Sequence, residues 1–185
     1  MPIVATDVQW RLSCCAANSN VNLSLGGAKS SVSIVPAQIN NLFDSISGAD
    51  RSAGDTEYRC IYLHLAHATL TASNVKLWVQ TQPANSSVQL ALGSSAVGGT
   101  EQTVAAENTA PTGVSFFSAT GFANALTIGT ISPTLAKAFW VKRIVPVGGT
   151  PTTSDGVTLS WTGSATVGAN AQQVPVLNLT QSTPS

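Results

Sequence analysis

The chain has 185 residues, 43% apolar and only 9% charged, with eight basic and eight acidic side chains and a formal net charge of zero. That balance excludes the basic footprint by which proteins grip nucleic acid. No apolar run approaches the length of a membrane-spanning helix, and the apolar content excludes a disordered chain.

The opening residues, Met1 to Asp7, lack the basic and apolar regions of a secretory signal. From Thr6 to Cys14, Val8, Trp10 and Leu12 alternate with Asp7, Gln9 and Arg11, which predicts a strand. Asn20 to Leu25 repeats the pattern with Val21, Leu23 and Leu25 and stops at Gly26-Gly27. Pro36 to Ile46 is the best helix candidate, with Ile39, Leu42, Phe43 and Ile46 spaced for one face, although an extended arm fits equally.

Arg59 to Leu65 sets Ile61, Leu63 and Leu65 against Cys60, Tyr62 and His64. Asn74 to Gln80 sets Val75, Leu77 and Val79 against Lys76, Trp78 and Gln80, and Val88 to Leu92 alternates again before Gly93. Gly98 to Gly113 reads as a long polar surface loop, and a single helical turn fits Phe122 to Leu126. Lys137 to Val145 and Val157 to Thr162 complete the strands, the last with Val157, Leu159 and Trp161 inward. Val97-Gly98-Gly99-Thr100 and Val147-Gly148-Gly149-Thr150 read as similar turns and not as a repeat.

Seven or eight short strands bounded by turn residues predict an all-β fold: one β-sandwich of jelly-roll type over residues 1–185, with one short helix or arm. A polar tail is expected over about residues 178–185.

The chemistry-bearing residues form no catalytic, cofactor or metal motif. Cys60, His64 and His67 fall within eight residues, yet on a strand Cys60 and His64 lie about 13 Å apart, too far to share a zinc ion. There is no G-x-S-x-G elbow and no phosphate-binding glycine loop. Asp55 and Glu57 fit a turn followed by a strand better than a catalytic carboxylate pair. The odd set Cys14, Cys15 and Cys60 reads as reduced thiols, since consecutive strand residues face opposite ways. Trp10 and Trp161 fall on the core side of their strands, whereas Trp78 shares a face with Lys76 and Gln80 and is the best exposed-aromatic candidate for an interface or a sugar platform.

Several segments carry a resemblance: Leu12-Ser13, Ala16-Ala17-Asn18, Ser24-Leu25-Gly26-Gly27 with Ser30, Asn40-Asn41-Leu42-Phe43-Asp44, and above all Gly54-Asp55-Thr56-Glu57-Tyr58-Arg59-Cys60-Ile61-Tyr62. Val75 to Val79, Gly99 to Val104, Ala110 to Val114 and Lys137 to Arg143 extend it over about residues 8–160. The chain resembles a family of tailed-bacteriophage virion proteins of structural type. It departs from that family's pattern at Cys14-Cys15, where a small glycine-rich turn is expected after the first strand.

The resemblance implies a non-enzymatic virion protein, assembled in the host cytoplasm, without cofactors and without nucleic-acid or membrane partners. Small size, a low-charge surface and a looped sandwich favour a capsid decoration (cement) protein. It would bind the major capsid protein or other virion proteins as an oligomer of its own copies. A tail, neck or baseplate component is the alternative, and a glycan- or receptor-binding module the third. Glu57, Arg59, Trp78 and Phe43 are the candidate interface residues. Glu57 and Arg59, two apart on one strand, point to the same face and can pair with a neighbouring strand or chain.

Overall fold

The structure, a computed structural model, describes residues 3–148 and 155–165, together with the backbone of 171–181. Eight strands form two antiparallel four-stranded sheets that pack as a sandwich. They are β1 (Val8–Leu12), β2 (Asp55–Leu65), β3 (Ala72–Thr81), β4 (Ser87–Leu92), β5 (Leu126–Ile131), β6 (Ala136–Val145), β7 (Asp155–Ala165) and β8 (Ala171–Gln181). One sheet runs β1-β2-β6-β4 and the other β5-β3-β7-β8. From β2 to β7 each connection crosses between the sheets.

The period-two pattern is what brings the sheets together. Ile61, Leu63 and Leu65 of β2 and Phe139 and Val141 of β6 share a core with Val75, Leu77 and Val79 of β3 and Val157, Leu159 and Trp161 of β7. Trp10 packs edge-on against Phe139, with ring centroids 5.8 Å apart.

Several expected elements take another form. Residues 36–46 are not helical, because Ala37 and Asn40 adopt φ of 60° and 57°, which no right-handed helix accommodates. Leu42, Phe43 and Ile46 are nevertheless buried. The short helix α1 (Gly48–Ala53) follows instead, opened by Ser47. The Ser47 hydroxyl accepts from the Asp50 N–H, and the Asp50 carboxylate accepts from the Ser47 N–H. Val21–Leu23 form a 3-10 turn in place of a strand, with the Asn20 side chain accepting from the Asn22 N–H at 3.0 Å. Phe122–Asn124 form the expected single turn.

β8 pairs with β7, so residues 178–181, expected in the tail, continue a strand; 182–185 lie outside the described residues. Gly98 and Gly148 have matching φ of 78° and 77°, in keeping with two similar turns, although Gly149 and Thr150 lie outside the described residues.

The segments near the chain's start that carry the resemblance build a polar knot beside β1. Ser13, Asn18, Ser24 and Ser30 are all buried. The Asn18 side-chain amide donates to the Ser13 carbonyl at 2.7 Å, Ser13 Oγ accepts from the Gly26 N–H, and the Ser30 hydroxyl donates to the Asn18 carbonyl at 2.8 Å. These bonds satisfy an irregular buried backbone that no strand ladder serves.

Candidate functional site

β2 carries the Thr56-Glu57-Tyr58-Arg59-Cys60 segment, and its alternation builds a charged cluster on each face. Glu57 and Arg59 share the inward face with Ile61, at one end of the sandwich interior. Tyr58, Cys60 and Tyr62 lie on the opposite, outer face.

In the inner cluster Glu57 stands directly across from Arg143 of β6, and the two form an ion pair. Arg143 also donates to the Asp44 carbonyl at 2.9 Å. Arg59 is fully buried; its Nη2 pairs with Glu107 at 2.6 Å and also donates to the Asn22 side-chain oxygen, while Nη1 donates to the Tyr58 carbonyl. Both guanidiniums lie over the Phe43 ring, that of Arg143 4.7 Å and that of Arg59 5.4 Å from its centroid. Burial pushes the Glu57 carboxyl up to about 7 against the opposing pull of Arg143 and Arg59. Carboxylate oxygens of Asp44, Glu57 and Glu107 converge to within 4.8 Å of one another. Arg59 and Arg143 already supply the positive charge that such a group would otherwise draw from a metal ion.

The outer cluster is built by the connection between β4 and β5, residues 93–125. Residues 98–113 form the expected surface loop, with most of their residues exposed, but the connection also lays a few apolar side chains on the sheet. Val104, Val114 and Phe116 pack onto Tyr58, Cys60, Tyr62 and Trp140, making a second, smaller core on the outside of the sheet. Glu101 anchors it. Its carboxylate accepts from the Ser94 N–H at 3.1 Å, the Ser94 hydroxyl at 2.8 Å and the Ser95 N–H at 2.9 Å, with the Trp140 indole N–H at 3.5 Å. Burial alone raises such a carboxyl, but the Ser95 and Ser94 donors outweigh it and hold Glu101 at about 2.

The Tyr62 hydroxyl donates to the Gly27 carbonyl at 2.6 Å and accepts from the Glu101 N–H at 3.0 Å. The Lys137 ammonium donates to the carbonyls of Gly93 and Ser95. Gly26 is required here: a Cβ would fall 1.8 Å from the Gln102 carbonyl oxygen, at a φ of 102°.

The four interface candidates are all covered by the chain itself. Glu57, Arg59 and Phe43 belong to the inner cluster, and beyond the end of β1 the β2 edge is covered by the Glu107 and Ser24 carbonyls, which accept from the Tyr58 and Cys60 N–H groups, so Glu57 and Arg59 do not form a solvated edge pair. Trp78 is 7% exposed because the Phe122 turn folds over it, ring centroids 5.9 Å apart, so its face is closed to a sugar. Phe122 is the exposed member of that pair. Cys60 is buried, with its thiol pushed up by burial, while His67 caps a turn by accepting from the Thr69 and Leu70 N–H groups. The two residues serve separate local structures.

Sequence reasoning placed Glu57 and Arg59 on one face but missed Arg143, Asp44, Glu107 and the whole Glu101 cluster. The signal available was the low number of charges. Seven of the sixteen charged side chains (Arg51, Glu57, Arg59, Glu101, Lys137, Arg143 and Asp155) are buried, so each has a defined structural place. The sequence matches none of the protein-family models, and none of the curated proteins, with which it was compared.

Proposed function

We propose that this chain is a non-enzymatic structural protein of a tailed-phage particle, a jelly-roll-like sandwich that decorates the outer capsid surface as an oligomer. The observation that carries the reading is where the charges lie. With seven of sixteen charged groups buried in networks within the chain, the remaining surface is mostly uncharged Ser, Thr, Asn, Gln and Ala. Such a surface associates through buried area and neutral hydrogen bonds and has little charge to keep free copies apart. Four of the chain's acid–base groups, Glu57, Glu101, Tyr62 and Lys137, are engaged by partners within the chain.

The resemblance over residues 8–160 supports the virion assignment, and the partners it implies are the major capsid protein and further copies of the chain. The test is the molar ratio of this protein to the major capsid subunit in purified particles, by quantitative mass spectrometry. A ratio near one to one, or a simple fraction of it, is expected for a decoration protein. A ratio of a few per cent assigns the chain to the tail, neck or baseplate instead. Moderate salt should leave the protein on the particle, since contacts made by neutral groups are not screened.

A further inference from the structure

Strand β1 ends at Leu12, and the chain turns at Cys14, whose φ of 100° belongs to the half of backbone space normally left to glycine. The turn is held from both sides. Cys14 bridges to Gly27, where an added Cβ would lie 2.7 Å from the Cys14 carbonyl oxygen. On its other side, the Cys15 carbonyl accepts from the N–H of the buried Asn18 at 3.1 Å. In a regular strand these neighbours would point to opposite faces. Here the backbone turn brings their sulfurs to 3.1 Å. Cys15 is exposed and Cys14 half-buried, and both are free thiols.

We infer that Cys14 and Cys15 form a vicinal dithiol site that captures one soft, trivalent thiophilic centre of the organoarsenic class through both sulfurs at once. The spacing of the sulfurs selects the ligand. Two bonds of about 2.3 Å meeting at a tetrahedral zinc ion hold their sulfurs about 3.8 Å apart, and a linear ion holds them about 4.6 Å apart. A separation of 3.1 Å matches bonds meeting near a right angle, the geometry of a pyramidal trivalent arsenic atom. Zinc would also need two further protein ligands. Among the described residues the clustered metal-ligating side chains are Asp44, Glu57 and Glu107, which do not include this pair.

Closure of the pair on itself is disfavoured. Adjacent Cα atoms lie about 3.8 Å apart across a trans peptide, below the roughly 4.4–6.8 Å that ordinary disulfides span, and a bond formed there is readily reduced. Capture of an arsenoxide needs no oxidant. Two As–S bonds form, the As=O bond breaks, and the oxygen leaves as water with the two thiol protons. Once one sulfur is attached, the second bond forms within the same rigid turn, so the chelate outlasts any single-thiol adduct.

The inference is independent of the role in the particle. It is tested by titrating the native full-length chain with phenylarsine oxide and weighing the intact product. One phenylarsenic group per chain is expected, retained against excess 2-mercaptoethanol and removed by ethanedithiol. Cys14→Ser and Cys15→Ser should each weaken capture by about 100-fold or more, while Cys60→Ala leaves it unchanged. If Cys14→Ser disturbs the turn, the exposed Cys15→Ser still decides. Capture by the wild type no tighter than by Cys15→Ser would overturn the inference. So would a chain two hydrogens lighter after handling in air that takes up the arsenical only after reduction.

Discussion

Glu57 and Glu101 are equally hidden, 4% and 3% exposed, yet they stand at opposite ends of the carboxylate range, at about 7 and about 2. Both lose their hydration on folding, Glu57 at the more deeply packed position, so the difference lies in the depth of that loss together with what replaces the lost water. Glu101 receives two backbone N–H groups and a hydroxyl from Ser94 and Ser95, all aimed by one turn at one carboxylate. Glu57 receives Arg143, but that guanidinium also serves Asp44 and is itself buried, and the neighbouring Arg59 is turned toward Glu107. A full opposite charge that must also be desolvated and shared stabilises a buried carboxylate less than neutral dipoles already fixed by the backbone. One cluster holds a permanent charge, and the other holds a proton that neutral pH can remove.

The largest break in that comparison is Arg143→Ala. It leaves Glu57 buried without its direct partner and removes the donor to the Asp44 carbonyl, and a loss of about 3–5 kcal/mol is expected in urea unfolding at pH 7. The loss should be smallest where Glu57 is neutral and grow as pH rises above 7, where the wild-type carboxylate keeps its partner and the variant's has none. Replacing both partners, Glu57→Leu with Arg143→Met, should recover most of it.

Glu57→Gln tests the proton itself. Because the folded value is raised from 4.5 to about 7, the group's contribution is fully present below pH 4.5 and is lost as pH rises through 7. At about 1.4 kcal/mol for each pH unit between the two values, wild-type stability should fall by about 2 to 3 kcal/mol from pH 5 to pH 8. The variant should show no such decline.

These two variants also mark where the sequence stops being informative. The alternation in β2, β3, β6 and β7 is enough to name the residues of the main core, because side-chain direction on a strand depends only on parity. The same parity puts Glu57 and Arg59 on one face. It cannot supply Arg143, which depends on the β2–β6 register, or Glu107, which depends on the path of an irregular loop.

β5 escapes for a local reason: Gly129, at φ 93°, shifts the register between Val75 and Lys76 and breaks the alternation. β8 escapes because Pro175 argues against a strand. It is tolerated on an edge strand, within the irregularity between Val174 and Leu177. Residues 98–113 read as surface and are mostly exposed, but Val104, Val114 and Phe116 in the β4–β5 connection are few and widely spaced and give no sign of packing. Their burial is decided by the outer face of the other sheet and not by their own pattern.

On the other side of the comparison, Glu101→Gln keeps the shape but replaces one acceptor oxygen with a donor facing the N–H groups of Ser94 and Ser95. A loss of about 1 to 2 kcal/mol at pH 7 is expected. Its pH dependence runs opposite to that of Glu57. A folded value lowered to about 2 gives stability that is present above pH 4.5 and lost as pH falls through 2. The gap between wild type and variant, followed by thermal unfolding, should therefore narrow on acidification. A gap that stayed constant from pH 7 to pH 2 would mean that Glu101 is not held as a charge.

The smallest effect sharpens what burial contributes. Glu107 faces the fully buried Arg59 at 2.6 Å, yet its own side chain is 42% exposed. Its backbone carbonyl, which accepts from the Tyr58 N–H at 2.7 Å, holds the loop on the strand edge whatever the side chain is. Glu107→Gln keeps an acceptor for Arg59 and removes a charge that water reaches from one side only, so a loss of about 1 kcal/mol, smaller than that of Arg143→Ala, is expected. That loss should fall further in high salt. A loss as large as that of Arg143→Ala would show that the net charge of the inner cluster, and not the burial of each member, sets its stability. A small, salt-sensitive loss would show that a half-exposed charge adds little to the inner cluster, unlike the fixed donors around Glu101.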